Sequence, residues 1–342
     1  AMAVEHEVDS IHCIGCSGAM RRNNVNYHFA KLTWWQHLFP GALNRHVRKL
    51  NPDVIIIHGL LFGWQIFLLH WQLGRRPRIF AQHHAERPFQ FHRKFFHRLN
   101  DAFISGYFFS SFQLSKPWLD ENQIRDASKV YEIMEASSVF YPIEKAEARK
   151  FTGIPSSPVY LWVGRLDENK DPITLAKGFA KFLRHEPQAR LYVVYQQDDL
   201  LTTMKKIVAH HPEQMILVGK VSHSELLYWF NSADFIISTS HYEGSGIAVC
   251  EAMSCGCIPI VSDIPSFRMM TNDGGCGILF QPGKADDLTK ALIASTTLNR
   301  GDASTKVLDY FHQHLSFKAI ARKMIAAVNE KRQALLNVIT PY

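Results

Sequence analysis

The sequence predicts an α/β protein of two domains, each built on a parallel sheet with helices between its strands. Three observations lead there. The 342 residues exceed the size at which one hydrophobic core keeps growing. Short β-branched and aromatic runs alternate with longer apolar-periodic segments along the whole chain, as in successive strand–helix–strand units. A polar stretch from Pro142 to Pro158, holding Gly153, Pro155 and two serines, breaks that alternation as a connection between domains does.

In the first domain, drawn at residues 1–150, the runs Val54–Ile57, Arg78–Ala81, Ala102–Ser105 and Val130–Ile133 are expected strands. The opening Ala1–Val8 reads as the end of a helix running into a second strand, so the first strand, glycine turn and helix of such a domain are expected to be missing. The second domain, 151–316, has strands at Val159–Val163, Leu191–Val194, Met215–Val218, Phe235–Ile237 and Ile258–Val261. Each lacks clean alternation, as strands buried on both faces do. Asp171–Leu183, Ser222–Phe230 and Ile247–Cys255 are the helices between them. A last helix over Phe317–Leu336, in a tail drawn at 317–342, is expected to pack back across the interdomain gap.

Composition narrows the function classes. Apolar residues make up 46% and charged residues 20%, which fits a folded globular chain. No apolar run reaches transmembrane length and no signal-peptide pattern opens the chain, so a cytoplasmic protein is expected. The six cysteines fit reduced thiols. Cys13 and Cys16 have CxxC spacing without a second ligand pair, so no metal site is expected.

Between Arg21 and Lys116, 14 Lys and Arg stand against Asp53, Glu86 and Asp101, more than the whole chain's net charge of +7. Aromatics interleave with them in Thr33–Phe39 and Arg93–Arg98. That mixture suits an anionic membrane surface or anionic acceptor; the plainer reading makes the aromatics core and the cations a solvated face. Nucleic acid is not expected, because no binding motif accompanies the charge.

The chemistry concentrates in two loops. In His241–Gly256, Glu243 follows a strand ending near Ser238, at the carboxyl end where open α/β sheets bind ligands. Gly244 and Gly246 permit close backbone approach, and the first N–H groups of the next helix offer an anion site. Glu251, a little over a turn into that helix, can accept hydrogen bonds from a ribose diol. In Val163–Pro172 a strand ends in Gly164, and Arg165 and Lys170 flank a polar loop before Pro172 starts a helix. The two cations can clamp a diphosphate, or bridge Asp167 and Glu168 instead.

From about Val159 to Phe280 the chain closely resembles the retaining glycosyltransferases of family 4, the glycogen-synthase-like group of the GT-B fold. The resemblance rests on Gly164-Arg165-Leu166 with Lys170, on Val218-Gly219-Lys220-Val221, on Ser232-Ala233-Asp234, and on the block from Glu243 to Glu251-Ala252-Met253. It implies two Rossmann-like domains with parallel sheets facing across an interdomain cleft. It implies that Arg165 and Lys170 neutralise the leaving nucleoside diphosphate, that Glu243 contacts the donor sugar and Glu251 the ribose. The backbone of Gly219, Lys220 and Val221 would receive the base, and the amides of Gly244, Ser245, Gly246 and Ile247 would bind sugar or phosphate. His83 takes the role of a histidine beside the donor sugar, with His84 as its rival. In place of the family's Pro-Asn-Gly-Val-Asp segment stands Ile133–Ser138, with Ser137 or Ser138 serving the turn.

The activity so implied moves a hexose or N-acetylhexosamine from a UDP- or GDP-sugar to a glycan or lipid-linked acceptor, with retention and without a required cofactor or metal. Surface-polysaccharide assembly at the inner face of the membrane is the expected setting. The alternatives are a GT-B epimerase, a phosphorylase, for which no pyridoxal-phosphate lysine is indicated, and a non-catalytic sugar-nucleotide-binding or scaffold subunit.

Overall fold

A computed structural model describes residues 2–74, 77–155 and 158–339, with side chains as far as residue 330. The chain divides into two units, Ala1–Glu135 with Ile320–Tyr342, and Ala136–Ala319. Each is an α/β layer structure, as the sequence predicts.

The first unit holds two sheets. Met2–Val4 forms a single 3₁₀ turn and leads into β1 (Val8–Cys13), which with β2 (Gly18–Arg22) and β3 (Val25–Ala30) makes a sheet of order β1-β3-β2. β1 runs parallel to β3, but β2 runs antiparallel to it, a departure from the parallel pattern expected throughout. The cause is local. Asn23 and Asn24 both take positive φ, 51° and 61°, forming a two-residue turn whose twist matches that of paired strands.

The second sheet carries β4 (Val54–His58), β5 (Arg78–Gln82), β6 (Ile104–Phe109) and β7 (Val130–Glu132), all parallel and in that order. β6 starts two residues later than expected and runs on through Tyr107, Phe108 and Phe109. All three are fully buried with Phe80 and Trp118, and that burial sets the strand's limits. The last helix, Phe317–Ile339, buries Ala321, Met324 and Ala327, and its Val328 carbonyl accepts a hydrogen bond from Arg78. Residues 340–342 of the expected tail lie outside the described residues.

The second unit is one six-stranded parallel sheet. Its strands β8 (Val159–Gly164), β9 (Arg190–Tyr195), β10 (Met215–Gly219), β11 (Phe235–Ser238), β12 (Ile258–Ser262) and β13 (Ile278–Phe280) lie in the order β10-β9-β8-β11-β12-β13. The first five match the expected runs. Tyr160, Trp162, Phe179, Phe182 and Phe235 fill one core under the sheet. Strand order reverses between β8 and β11, and in open α/β sheets the crevice beyond the carboxyl ends at such a reversal is where ligands bind.

Helix Lys145–Thr152 belongs to this unit, so the division falls at 135/136 where the sequence reading drew it at 150/151. The reason is Asp234, buried at the start of β11. Its carboxylate pairs with Lys145 at 2.6 Å, Arg149 at 3.1 Å and Arg300 at 3.4 Å, and accepts the Val159 N–H at 2.9 Å. Ser156 and Ser157, part of the connection read from sequence, lie outside the described residues.

Candidate active site

Two loops of the second unit, one after β8 and one after β11, meet at the reversal of strand order. β8 ends at Gly164, and the chain then turns through Arg165–Lys170 to Asp171, whose side chain caps the helix Pro172–Phe182 by accepting from the Thr174 N–H. The second loop is fastened to the first by three hydrogen bonds. Thr239 Oγ1 donates to the Lys170 carbonyl at 2.7 Å, Asn169 Nδ2 to the Tyr242 carbonyl at 3.0 Å, and the His241 N–H to the Asn169 carbonyl at 2.8 Å. Such fixed spacing holds charged groups in register before any ligand arrives.

The Lys170 ammonium pairs directly with Glu243 Oε1. Both are largely buried, with side chains 23% and 12% exposed, so their attraction is screened less than a surface pair's. Arg165 points elsewhere: its Nε lies 3.1 Å from Asp167, while Asp167 also accepts the Lys170 N–H at 2.9 Å. The structure therefore brings Lys170 and Glu243 together and leaves Arg165, 55% exposed, on a local partner.

Gly244, Ser245 and Gly246 lead into the helix Ile247–Ser254. Gly246 has φ 56°, and a Cβ there would lie 2.5 Å from the Phe267 ring, so only glycine fits. No side chain caps this helix, which leaves the first-turn amides of Ile247 and Ala248 for an anion. Lys170, Glu243, Gly246 and Phe267 line one small cleft at this point.

Glu251 lies on the same helix, 8% exposed. Burial pushes its carboxyl up from the usual range, opposed by a 2.8 Å contact between Oε1 and His223 Nε2. Sequence reasoning missed His223. It opens the helix His223–Ser232, just after β10 ends in Gly219 (φ 87°) and the chain passes Lys220 and Val221. The turn at Ser137-Ser138 is served by Ser138, whose Oγ accepts from the Phe140 N–H at 2.9 Å and from the Ser254 hydroxyl at 2.8 Å.

In the first unit the two histidines after β5 separate. His83, the one carried forward from the sequence, is a core residue. It is 2% exposed, its ring stacks on Phe109 at 4.5 Å, its Nε2 meets the Glu86 carbonyl at 2.8 Å, and burial lowers its pKa. His84 is the accessible one. Its Nδ1 is 2.5 Å from Glu135, which raises its pKa, and its Nε2 lies 3.3 Å from His58 Nδ1.

All six cysteines are free thiols, Cys13 and Cys16 exposed. Burial pushes Cys250 and Cys255 up to about 12, which keeps them protonated. Among the described residues no group of three or more His, Cys, Asp or Glu side chains is placed to hold a metal ion.

Residues 144–302 match the family model for glycosyl transferases group 1. Among curated proteins, the GDP-mannose:cellobiosyl-diphosphopolyprenol alpha-mannosyltransferase of Xanthomonas oryzae pv. oryzae is 25% identical over 246 residues, covering 69% of this chain and 62% of its own length. The chain thus spans less than two thirds of that relative. The sucrose-phosphate synthase of Thermosynechococcus elongatus superposes with a TM-score of 0.72 at 19% identity, over 97% of this chain and 90% of that one. HepE of Anabaena, solved with UDP and glucose, gives 0.69 at 14% identity, over 90% and 86%. The Lys170 loop and the helix bearing Glu251 both fall inside the segment that matches the group 1 glycosyl transferase model, and the chain has the GT-B fold.

Proposed function

We propose that the chain transfers a hexose or N-acetylhexosamine from a UDP- or GDP-sugar to a lipid-linked or glycan acceptor, with retention at the anomeric carbon. The observation that carries this is the contact of Lys170 with Glu243 from two loops at the strand-order reversal, beside an uncapped helix that also bears Glu251. One cation, free amides and two carboxylates are what a nucleoside diphosphate joined to a sugar requires. The cation and amides meet phosphate, and the carboxylates meet hydroxyl donors.

The bond from the anomeric carbon to the phosphate oxygen breaks, and negative charge grows on the diphosphate. Lys170 stabilises it, joined by Arg165 once that side chain leaves Asp167. The acceptor oxygen bonds to the carbon on the face the leaving group vacates, and its proton passes to the departing phosphate oxygen. No metal is required in this scheme. Glu243 holds sugar hydroxyls and Glu251 the ribose, while the amides from Gly244 to Ile247 receive sugar or phosphate. Gly219, Lys220 and Val221 border the base.

A lipid-linked acceptor is favoured by two facts. The Xanthomonas relative's name joins its cellobiosyl group to diphosphopolyprenol. The first unit also exposes Trp34 and Trp35, and Phe91 and Phe95 beside Arg93 and Arg98 in the chain, a mixture suited to the anionic inner face of a membrane and to surface-polysaccharide assembly. No helix among the described residues is long and apolar enough to cross a membrane.

Calorimetric titration of UDP, GDP and ADP, and of their sugar conjugates, tests the donor site. One nucleotide is expected to bind selectively to the wild type, and Glu251→Ala to weaken it tenfold or more, the worth of a hydrogen bond to a charged group. Folded protein that binds none of them, or a Glu251→Ala variant of unchanged affinity, would sink the assignment.

A further inference from the structure

Nothing in the resemblance assigns a role to His223, yet it is the side chain that touches Glu251. Its Nε2 sits 2.8 Å from Glu251 Oε1, across the gap between two helices, and the imidazole is held from behind by Phe140, ring centroids 4.9 Å apart. Phe140 in turn rests on Phe230, 6.0 Å away. The other side of Glu251 is braced as well: its carbonyl accepts the Ser254 hydroxyl at 2.7 Å, and that same hydroxyl meets Ser138, which sets the turn carrying Phe140. The imidazole is therefore fixed by packing while remaining 65% exposed at its side chain, next to the Gly219–Val221 segment.

We infer that His223 is a positioning residue for the nucleotide, holding one oxygen of Glu251 so that the other is presented, ionised, to the ribose hydroxyls. The inference rests on the reading of Glu251 as the ribose acceptor. An ionised carboxylate accepts a stronger hydrogen bond than a neutral one. Burial works against ionisation here, and His223 is the group that works for it. Cys250 and Cys255 also lie near Glu251, but both thiols stay neutral. Glu225, on the histidine's own helix, is engaged with the Ser222 N–H.

The direction of the pH effect follows. As pH falls, Glu251 gains a proton at a higher pH than an ordinary carboxylate, and nucleotide affinity drops with it. The hydrogen bond to His223 opposes that protonation and keeps Glu251 ionised further into acid. Removing the imidazole moves the loss of affinity to higher pH.

The test is calorimetric titration of the nucleotide that the wild type selects, UDP or GDP, across neutral to mildly acid pH. His223→Ala is expected to bind about fivefold more weakly at neutral pH, the worth of one hydrogen bond, and to lose affinity at a higher pH than the wild type. His223→Gln keeps a donor for Glu251, so it recovers part of the affinity lost in His223→Ala. A wild-type pH profile in both variants, with thermal midpoints showing them folded, overturns the inference while Glu251→Ala still loses binding. Unchanged affinity in Glu251→Ala would instead overturn the donor-site reading beneath it.

Discussion

Lys170 and Glu243 satisfy one another in a partly buried place, so under the proposed function a donor has to enter that pair without leaving either charge stranded. In that reading a diphosphate would meet the ammonium as a sugar hydroxyl meets the carboxylate, and the exchange would be balanced. Lys170→Ala should cut kcat by about a hundred- to a thousandfold, as loss of a stabilising donor at developing charge does, with donor KM moving less. Measured release of nucleoside diphosphate under saturating donor checks this; a loss confined to KM would make Lys170 a ground-state binder only. Both residues are legible in the sequence because each follows a β-rich run and flanks a glycine turn. His223 is not, because its partner lies 28 residues away and the contact exists only once two helices pack. The same limit explains His83 and His84, adjacent in sequence but on opposite sides of the boundary between core and surface.

At the scale of elements, the helix Ile247–Ser254 begins where a left-handed glycine meets the face of Phe267. Gly246→Ala should cost about 1–3 kcal/mol from backbone strain, with more from the Phe267 clash. It should also weaken nucleotide binding, since the first-turn amides would shift. A thermal melt paired with calorimetry reads both, and a variant as stable and as tight as wild type would refute the steric argument. Five of the six strands of the second unit are legible because they are long apolar runs. β13, three residues long, carries too little pattern. β2 is exposed along its whole length and so lacks the apolar period by which strands are recognised, although Asn23-Asn24 is a turn signal in its own right.

Over the whole molecule, charge and aromatic surface are concentrated in the first unit. Trp64 joins three of its helices there: its Nε1 donates to the Leu38 carbonyl at 2.9 Å, and its ring meets Phe96 at 5.4 Å. Around that joint Trp34, Trp35 and Phe95 remain outside the core. Cosedimentation with vesicles rich in phosphatidylglycerol should exceed that with phosphatidylcholine alone and weaken as salt rises. Replacing Arg93 and Arg98 by Gln should reduce it by roughly twentyfold or more, from about 1 kcal/mol per cation at the surface. Equal binding to both vesicle types would leave the patch as ordinary surface.

The clasp at Asp234 has a consequence of a different kind. One carboxylate reaches Lys145 and Arg149 on the first helix of the second unit and Arg300 on one of its last. Two helices far apart in that unit's sequence are thereby held together, while the first unit is written in two pieces, before residue 136 and after residue 319. In architectural terms the second unit is an insertion. The clasp ties its first helix to a helix near its end, so the two stretches by which it joins the rest of the chain are held from drifting apart.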